Sequence, residues 1–386
     1  MNVLVLNSGS SSVKFKIINA KSLEVLGRGH VDGIGLDSCV FVLDGVSKKV
    51  LVKNHVDALS LIFKSVDKSL ISAVGHRFVH GGVKFKAPVF VSDDVIRELD
   101  ALCDLAPLHN PHNLSGIKAS FKLLSVPQIV VFDTAFHSSL SEAAFTYALP
   151  RDLCVSNNIR KFGFHGIAHS YLLLKSQELL GLNKLNLITC HLGNGASIAC
   201  IKNNKSIDTS MGFSPLQGLV MGTRSGDVDP CLALYLQKHL NMSCDDVSKL
   251  LNNESGLKGI CGEADMRRVY DKVLDGDSNA SLALEVFIFR IVHYIGAYIA
   301  RMGDDVHAIV FSGGVGEGAF YVRKKVCDAL KHLGVVIDYE KNMHNKGVID
   351  KPLIISQFSS KVKILVIPAN EELMIAFEVF KLLDSS

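Results

Sequence analysis

The first eighteen residues pass from an apolar run through a break of small polar residues to a second apolar stretch. Residues 3–6 read Val-Leu-Val-Leu, residues 8–11 read Ser-Gly-Ser-Ser, and residues 13–17 alternate apolar side chains with lysines. The pattern predicts two short β-strands joined by a turn whose N–H groups and hydroxyls could receive an anionic oxygen. Asn7 ends the first strand and adds a carbonyl oxygen suited to a hard cation or its waters. On this segment alone, an ordinary hairpin fits as well as a phosphate site.

The pattern of apolar strand and small-residue turn returns twice along the chain. Residues 185–201 place the turn Gly193-Asn194-Gly195-Ala196-Ser197 between two apolar strands. Residues 308–311 form another apolar strand, which runs into the glycine-rich turn 312–318 and then a helix-like segment from Ala319. Recurring units of this kind suggest two related halves that face a nucleotide.

Elsewhere the periodicity alternates between strands and helices, which predicts an α/β fold. The first half carries, in order, hairpin-like alternation to Val52, a helix at 55–68, a strand at 73–74, a helix at 95–105, a rigid loop bracketed by Pro107 and Pro111, and a buried strand at 128–132. The second half carries, in order, strands within 185–208, a loop at 209–228, helices within 230–251, a helix at 279–301, strands at 308–311 and 364–367, and a helix at 371–383.

The length of 386 residues exceeds the size over which one hydrophobic core keeps growing, so we expect two domains. A polar, turn-rich stretch at 150–160 places their boundary, giving domains at 1–150 and 151–370, with the C-terminal helix 371–386 closing the first domain. A net charge of +3, without a basic run that contains aromatics, argues against nucleic acid as a partner.

Targeting and redox signals point to the cytoplasm. The chain start lacks the basic region and small-residue cleavage site of a signal peptide. The apolar stretch 280–300 contains Glu285, Arg290 and His293, so we expect a buried helix and no membrane span. Nine cysteines without a CxxC pair favour small buried side chains in a reducing cytosol over disulfides or zinc.

Histidines and arginines beside glycines are the candidates for chemistry. His165 lies between two glycines, where the backbone can approach a ligand closely. Arg77 and Arg224 also lie near glycines, where a guanidinium can bind carboxylate or phosphate through two hydrogen bonds, although a solvated surface position stays open for either alone. No HExxH motif occurs, and a loop with two prolines is a poor frame for a metal at His109 and His112. We expect hydrogen-bonded structural roles for His76, His80, His112, His137 and His169.

Two common nucleotide motifs do not explain the chain. No GxxxxGK[ST] segment occurs, which excludes a P-loop. Residues 314–319 satisfy GxGxxA, with Asp338 about twenty residues further on, but this segment lies far from an opening βαβ unit. The three recurring turns are therefore the better nucleotide signal.

Together these segments resemble the acetate/propionate kinase family, within the actin, Hsp70 and sugar-kinase superfamily. The matching segments run nearly end to end and are NSGSSSVKFKI, GHRFVHGG, LAPLHNPHNL, VFDTAFH, FGFHGIAHSY, HLGNGAS, DTSMGFSPLQGLVMGTRSGDVDP, SGLKGICG, FSGGVGEGA and VIPANEELMIA. The resemblance implies two ribonuclease H-like domains with an active-site cleft between them. It also implies transfer of the ATP γ-phosphate to acetate, with Mg²⁺ (or Mn²⁺) as cofactor, and a homodimer. Our hypothesis is that this transfer is direct and in line, and that it is reversible because acetyl phosphate is itself a high-energy donor.

The same resemblance implies roles for individual residues. Asn7 and Glu371 match the magnesium site, whereas Arg77 and Arg224 match the arginines that hold the carboxylate and the transferring phosphoryl group. The nucleotide-binding positions implied in this way are Ser10, Ser12, Lys14, His191, Leu192, Gly193, Asn194, Gly195, Asp265, Met266, Arg267, Gly313, Gly314, Val315 and Gly316.

Three further residues match the catalytic centre of the family. His165 matches the histidine that, with Arg224, stabilises the phosphoryl group in the transition state, and His109 matches its neighbour. Asp133 matches the aspartate that positions these groups. The acyl pocket of the family is matched by Val79, Leu108, Phe164 and Pro215. Val79 in place of alanine leaves less room, which favours acetate, although one methylene is worth only ~1–3 kcal/mol and propionate should react slowly.

The chain departs from the family at a few positions. Gly318 replaces the usual Asn and could loosen the helix start on the nucleotide side, while Gln217 replaces Glu. Ala264 and Ala369 replace the common Ser and Thr. None of these changes removes a charged residue assigned to chemistry, so nucleotide affinity is the property they put in question.

A carboxylate nucleophile suits this set of residues. A carboxyl group with a pKa near ~4.3 is ionised at neutral pH and needs no general base, so the obstacle is repulsion between two anions, which cations relieve. The nearest alternative is a propionate or other short-chain carboxylate kinase. ATP-driven binding and filament proteins form a second alternative, but they consume water, which needs no arginine pair beside His165.

Overall fold

The structure is a computed structural model that describes residues 1–344 and 349–386. Its strands, in chain order, are β1 (Asn2–Ser8), β2 (Ser12–Asn19), β3 (Val25–Asp32), β4 (Val40–Leu43), β5 (Val46–Lys49), β6 (Ala73–Phe78), β7 (Val89–Phe90), β8 (Gln128–Phe132), β9 (Leu187–Leu192), β10 (Ala196–Lys202), β11 (Lys205–Thr209), β12 (Ala308–Ser312), β13 (Leu353–Ile354) and β14 (Lys363–Val366). They form two sheets, which confirms the predicted α/β class.

The helices surround these sheets. They are α1 (His55–Ser65), α2 (Asp93–Ala101), α3 (Asn110–Leu123), α4 (Glu142–Phe145), α5 (Arg151–Ser156), α6 (Gly166–Leu180), α7 (Pro230–Leu240), α8 (Cys244–Lys249), α9 (Gly256–Cys261), α10 (Met266–Leu274), α11 (Ser278–Met302), α12 (Gly313–Gly318), α13 (Phe320–Ala329), α14 (Tyr339–His344) and α15 (Glu371–Asp384).

The chain divides into two compact units, of which the first comprises residues 1–138, 166–171 and 370–386. Its sheet has the order β5-β4-β3-β2-β1-β6-β8-β7. β1 to β5 form an antiparallel meander, which confirms the hairpins predicted up to Val52, whereas β1, β6 and β8 run parallel. The carboxyl ends of three adjacent parallel strands therefore share one edge, where ligands commonly bind in α/β proteins.

Helices cover both faces of this sheet. Leu4, Leu6 and Phe15 pack with residues of α1 and α3 on one face. α15 packs on the other face, where Gly75 makes room for it, because a Cβ at that position would lie 2.7 Å from Cγ2 of Ile375. The last helix in the sequence thus completes the core of the first unit.

The second unit comprises residues 139–165 and 172–369. Its sheet has the order β11-β10-β9-β12-β14-β13, with β9, β12 and β14 parallel. The glycine-rich segments after β9 and β12 again follow the carboxyl ends of adjacent parallel strands. The domain boundary near residue 150 that the sequence predicts stays a prediction.

The apolar helix α11 is buried along one face only. Phe287, Ile291 and Ile295 are buried, but Phe289 is 66% exposed and Leu282 is 51% exposed. Within the described residues, α11 is the single helix that is long and apolar enough to cross a membrane by length and composition. It packs against β10, α9, α10 and α13.

Local predictions failed where proline, glycine or cysteine had two interpretations. The segment bracketed by Pro107 and Pro111 is a rigid loop only in part, because α3 begins at Asn110 and Pro111 occupies its first turn, where a missing N–H costs nothing. The glycine-rich turn after β12 is itself the short helix α12. The turn-rich stretch 150–160 contains α5, and Cys231 and Cys244 are exposed, unlike the buried thiols expected.

Candidate active site

Three of the predicted site residues lie at the carboxyl ends of the parallel strands β1, β6 and β8. Asn7 is the penultimate residue of β1, Arg77 the penultimate residue of β6, and Asp133 directly follows β8. Strand alternation places Arg77 on the same face as Gly75, which is the face that α15 covers. Glu371 is the first residue of α15. Sheet register and one helix start therefore bring together residues that are hundreds of positions apart.

Arg77 is held between two carboxylates. Its Nη2 donates to Oδ2 of Asp133 at 2.6 Å and its Nε to Oδ1 at 3.3 Å, so the pair is bidentate. Oε2 of Glu371 lies 3.6 Å from the same Nε. The Asp133 side chain is 1% exposed, and this burial raises its pKa to about 6, a rise that Glu371 adds to and Arg77 opposes. Burial alone would lower the pKa of Arg77, but the two carboxylates hold it above its ordinary value.

Two asparagines of α3 hold the loop after β6, and the sequence analysis did not single them out. Asn113 accepts a hydrogen bond from the N–H of Val79 at 3.2 Å and donates to the carbonyl of Ser8 at 2.5 Å. Asn110 accepts from the N–H of His80 at 3.1 Å. Their signal was present in the segment LHNPHNL, where buried amides three residues apart lie on one helix face. Asn113 thereby ties Val79 to the carboxyl end of β1 at Ser8.

The first turn presents polar atoms to solvent. Ser10 and Lys14 are exposed and Ser12 is half-buried. Lys14 lies directly opposite Asn7 in the β1–β2 pairing, so the two side chains share a face. The ring nitrogen Nε2 of His55 bonds the carbonyl of Gly9 at 2.7 Å and fixes the turn.

A magnesium ion would find oxygen donors in this part of the molecule. Both carboxylate oxygens of Asp133 accept from Arg77, and the two oxygen donors that the family resemblance implies for the metal are the Asn7 side-chain carbonyl and the Glu371 carboxylate, which also lies near Arg77. Within residues 1–344 and 349–386 no group of three or more His, Cys, Asp or Glu side chains is arranged to hold a metal. A site with few protein ligands fits Mg²⁺, which keeps several waters and binds substrate phosphates.

His165 adopts a backbone conformation that non-glycine residues rarely take. Its φ of 56° lies in the left-handed region, directly before α6. Its Nδ1 lies 2.9 Å from Oγ of Ser197, and its ring centroid lies 4.8 Å from that of His191. Ser197 belongs to the segment HLGNGAS but was not predicted to act. A serine hydroxyl that donates to Nδ1 leaves the proton of a neutral imidazole on Nε2.

Arg224 and His165 approach the same glycine. A Cβ built at Gly195 would lie 3.6 Å from Nη1 of Arg224 and 3.7 Å from Nε2 of His165. Arg224 is half-buried, and this burial lowers its pKa. Its Nη1 lies 4.0 Å from Sδ of Met221, and no carboxylate pairs with it in the part of the chain that the structure describes. Arg224 is therefore a partly desolvated cation with no counter-charge among residues 1–344 and 349–386, unlike Arg77.

The loop that carries Arg224 is fixed at both ends. The N–H of Gly222 donates to the carbonyl of Asn194 at 3.0 Å, and Thr223 Oγ1 donates to the carbonyl of Asn252 at 2.9 Å. Asp227 accepts from the N–H of Gly218 at 3.0 Å and from the Tyr294 hydroxyl at 2.6 Å. These bonds set the position of the guanidinium.

The predicted nucleotide segments adjoin one another in the second unit. A Cβ at Gly222 would lie 2.0 Å from Oδ1 of Asn194 and 3.2 Å from the carbonyl of Ala264, next to Asp265. The Met266 carbonyl accepts from the Tyr321 hydroxyl at 3.0 Å, just after α12. Asp265 caps α10 and binds Arg267, whose hydrogen bonds lower the pKa of Asp265 to about 2.

The glycines after β12 lie beside the turn after β9. A Cβ at Gly313 would lie 2.6 Å from the carbonyl of Leu192, so the 191–195 and 313–316 segments touch. Oε1 of Glu317 accepts from the N–H groups of Gly313 and Ala369, each at 2.9 Å. Gly318 ends α12, and the buried Arg323 donates to the carbonyls of Gly316 and Glu317 there. Arg323 therefore satisfies carbonyl groups at the end of α12.

The remaining predicted residues have simple placements. Gln217 accepts from the Tyr147 hydroxyl at 2.7 Å, so the neutral amide has a partner. Val79 and the exposed Leu108 belong to the first unit, whereas the buried Phe164 and half-buried Pro215 belong to the second. His109 forms the N-cap of α3, so it lies at a helix start and not in a loop.

The histidines expected to be structural are fixed by hydrogen bonds or ring contacts. His76 bonds Oε1 of Gln128 at 2.8 Å, and burial lowers its pKa to about 4. The rings of His137 and His169 pack at 5.7 Å. His80 Nδ1 accepts from the N–H of Gly82, and His112 stacks on another histidine ring.

These features define a class of protein. Sheets of parallel strands end in glycine-rich segments, and arginine, histidine and carboxylate groups lie at those ends, as in an α/β enzyme that handles phosphate. Comparison with known proteins identifies the family. The model of the acetokinase family matches residues 2–377, and the chain belongs to that family, whose members are kinases that act on a carboxylate acceptor.

Individual relatives agree along the whole length. The acetate kinase of Pseudothermotoga lettingae is 46% identical over 402 residues, which cover 100% of this chain and 98% of the relative. The acetate kinase of Carboxydothermus hydrogenoformans is 44% identical, with 99% of each chain covered. The crystal structure of Porphyromonas gingivalis acetate kinase matches with a TM-score of 0.92 and 41% identity, covering 99% of each chain. A propionate kinase from Francisella tularensis matches with a TM-score of 0.92 and 39% identity, covering 98% of each chain.

Proposed function

We propose that this chain catalyses reversible, Mg²⁺-dependent transfer of the ATP γ-phosphoryl group to acetate, giving acetyl phosphate and ADP. The observation that carries the proposal is Arg224, a half-buried cation without a carboxylate partner in the described residues, which approaches Gly195 together with His165. Such a pair is suited to the negative charge of a transferring phosphoryl group. Family membership supplies the acceptor class.

The nucleophile in this proposal is the acetate carboxylate. It is already ionised at neutral pH, since carboxyl groups of this kind have a pKa of about 4, so no general base is required. Arg77 binds it through the guanidinium edge that Asp133 leaves free, and Asp133 keeps that guanidinium from rotating. A fixed guanidinium lowers the cost of bringing one anion toward another.

The transition state places negative charge on the oxygens of the phosphoryl group. Arg224 supplies a guanidinium toward these oxygens, and the Nε2–H of His165 supplies a hydrogen bond whose direction Ser197 sets. Asn7 and Glu371 would hold Mg²⁺, which neutralises phosphate charge when bound. Mn²⁺, with a similar preference for oxygen ligands, should substitute for it. The γ-phosphoryl group passes in line from ATP to the carboxylate: a carboxylate O–P bond forms, the bond to the β,γ-bridging oxygen breaks, and ADP leaves, without a covalent intermediate on the protein.

The segments 191–195, 265–267 and 313–316 are proposed to hold the nucleotide, with Ser10, Ser12 and Lys14 facing its phosphates. Their mutual contacts support this assignment, because backbone N–H groups at glycines can approach phosphates closely. The acyl group is assigned to Val79, Leu108, Phe164 and Pro215.

The defining experiment is a panel of carboxylates with ATP, in which acyl phosphate is trapped by hydroxylamine, run with Mg²⁺, with Mn²⁺ and with EDTA. We expect acetate to give the highest kcat/KM, propionate a lower value, and EDTA to abolish the reaction. Release of inorganic phosphate without hydroxamate would refute carboxylate phosphorylation. A kcat/KM that is higher for propionate than for acetate would favour the second candidate function, a propionate kinase. The similarity to the Francisella tularensis propionate kinase is the reason for testing it.

We also propose that the protein acts in the cytoplasm as a homodimer. α7 has no buried residue, and it exposes Leu234, Tyr235 and Leu240. Asp227, two residues before the N-cap of α7, accepts a hydrogen bond from the Tyr294 hydroxyl of α11, and α11 exposes Leu282 and Phe289. A second copy would cover these apolar side chains. Sedimentation equilibrium should give twice the chain mass, and a monomer at micromolar concentration would refute the dimer.

A further inference from the structure

Lys16 makes two bonds to the start of α15. It lies on β2 directly opposite Val5, so its side chain points to the sheet face that α15 covers. Its Nζ donates to Oδ1 of Asn370 at 3.2 Å and lies 3.0 Å from Oε2 of Glu372. The Lys16 side chain is 25% exposed and that of Glu372 is 18% exposed, so solvent screens this ion pair less than an open surface pair.

The two partners of Lys16 flank Glu371 in the sequence. Asn370 is the N-cap of α15, and its Oδ1 also accepts from the N–H of Leu373 at 3.3 Å. Lys16 therefore binds the residue before and the residue after Glu371. Since Glu371 is the first residue of the helix, its backbone cannot shift unless one of these bonds breaks.

Lys16 also separates the charges of two adjacent carboxylates. Glu371 faces Arg77, with Oε2 at 3.6 Å from Nε, whereas Glu372 faces Lys16. Without the lysine charge, Glu372 would lack its cation and would compete for Arg77 or repel Glu371. The ammonium group thus pairs with Glu372 and keeps that carboxylate apart from Glu371, which faces Arg77.

We propose that Lys16 is a positioning residue, which anchors the first turn of α15 and holds Glu371 for the metal–nucleotide complex. This inference rests on the proposed function for the role of Glu371. It does not make Lys16 a catalytic residue, because Lys16 acts through Asn370 and Glu372.

The test compares Lys16→Met with Lys118→Met. Lys118 pairs with Asp100 at the same 3.0 Å in the same unit, but it lies on α3, on the opposite face of the sheet. Amide hydrogen exchange, measured without ligand, reports directly whether Lys16 stabilises the first turn of α15. We expect the amides in the first turn of α15 to exchange about tenfold faster in Lys16→Met, the ratio for loss of one hydrogen bond to a charged group, and at the wild-type rate in Lys118→Met.

The effect of Lys16 on metal binding is measured in two ways. One is Mn²⁺ binding in the presence of ADP, detected by EPR, and the other is the Mg²⁺ dependence of the forward reaction. We expect Lys16→Met to raise both the Mn²⁺ dissociation constant and the Mg²⁺ midpoint several-fold, and Lys16→Arg to restore most of the loss. Glu372→Gln added to Lys16→Met should cost little more than Lys16→Met alone, because the two residues act as one unit.

Unchanged exchange and unchanged Mn²⁺ binding in Lys16→Met would overturn the inference, as would equal effects in Lys118→Met. Failure of the proposed function gives a different result: the wild-type protein would form no acetyl phosphate, while the exchange measurement would still decide whether Lys16 anchors α15.

Discussion

Replacing Arg224 by alanine removes the cation that the structure leaves without a carboxylate partner in its described residues. Because no ion pair is broken and a half-buried charge is removed, folding should lose little free energy. We expect the melting temperature to change by no more than about 4 °C, as for a change below about 1 kcal/mol. Any large loss of turnover would then report on chemistry.

The size of that loss follows from the position of the guanidinium. At ~4 Å from one unit of negative charge, with an effective dielectric constant of ~20, the Coulomb energy is about 4 kcal/mol. Stabilisation of this size in the transition state corresponds to about a thousandfold in rate. Arginines that serve this purpose in other phosphoryl-transfer enzymes contribute factors of roughly 10³–10⁵.

The assay is initial-rate formation of acetyl hydroxamate from acetate, ATP and hydroxylamine, at saturating Mg²⁺. Arg224→Lys keeps the charge but loses the planar fork, so it should fall between wild type and Arg224→Ala. Arg151→Ala serves as the control, because Arg151 pairs with Glu142 on the exposed surface. A kcat for Arg224→Ala within tenfold of wild type would refute the role of Arg224, and so would a comparable loss in Arg151→Ala.

Three more predictions test other parts of the site. Val79→Ala enlarges the assigned acyl pocket, so the ratio of kcat/KM for propionate to that for acetate should rise, by about 10- to 200-fold for one methylene; an unchanged ratio would contradict the pocket. Because burial raises the pKa of Asp133 to about 6, kcat/KM for acetate should fall as the pH drops below 6, since a protonated carboxyl cannot accept both bonds from Arg77. Asp133→Asn should be slow and should lack this acid limb, and a limb that persists in the variant would assign the titration elsewhere. Ser197→Ala removes the partner of His165 Nδ1 and should lower kcat about tenfold, the cost of one hydrogen bond, with little change in KM for ATP; a wild-type kcat would show that Ser197 does not orient the ring.

The sequence predicted correctly those helices and strands whose pattern of apolar and polar residues fits only one kind of secondary structure. The β1–β2 hairpin, the strand 128–132 that ends at Asp133, and the closing helix all agree with the structure. α3 was missed because Pro111 fits a loop and also fits the first turn of a helix. The helix α12 was missed because a run of glycines is typical of a turn, while burial against β9 and β12 favours the helix here.

Ion pairs and hydrogen bonds between residues far apart in the chain could not be predicted from the sequence, for a different reason. Arg77 and Arg224 have similar glycine-rich surroundings in sequence, yet one is neutralised by Asp133 and the other has no carboxylate partner among the described residues. This difference depends on strand register, which local patterns do not specify. The same holds for Lys16, whose partners lie more than 350 residues away in the chain.

The place of α15 has a consequence for biosynthesis. A ribosome releases β1 and β6 early, but the helix that covers their apolar face emerges only after the whole second unit. The nascent chain must therefore carry an open hydrophobic strip while the second unit is synthesised, and this strip stays prone to aggregation until α15 has emerged.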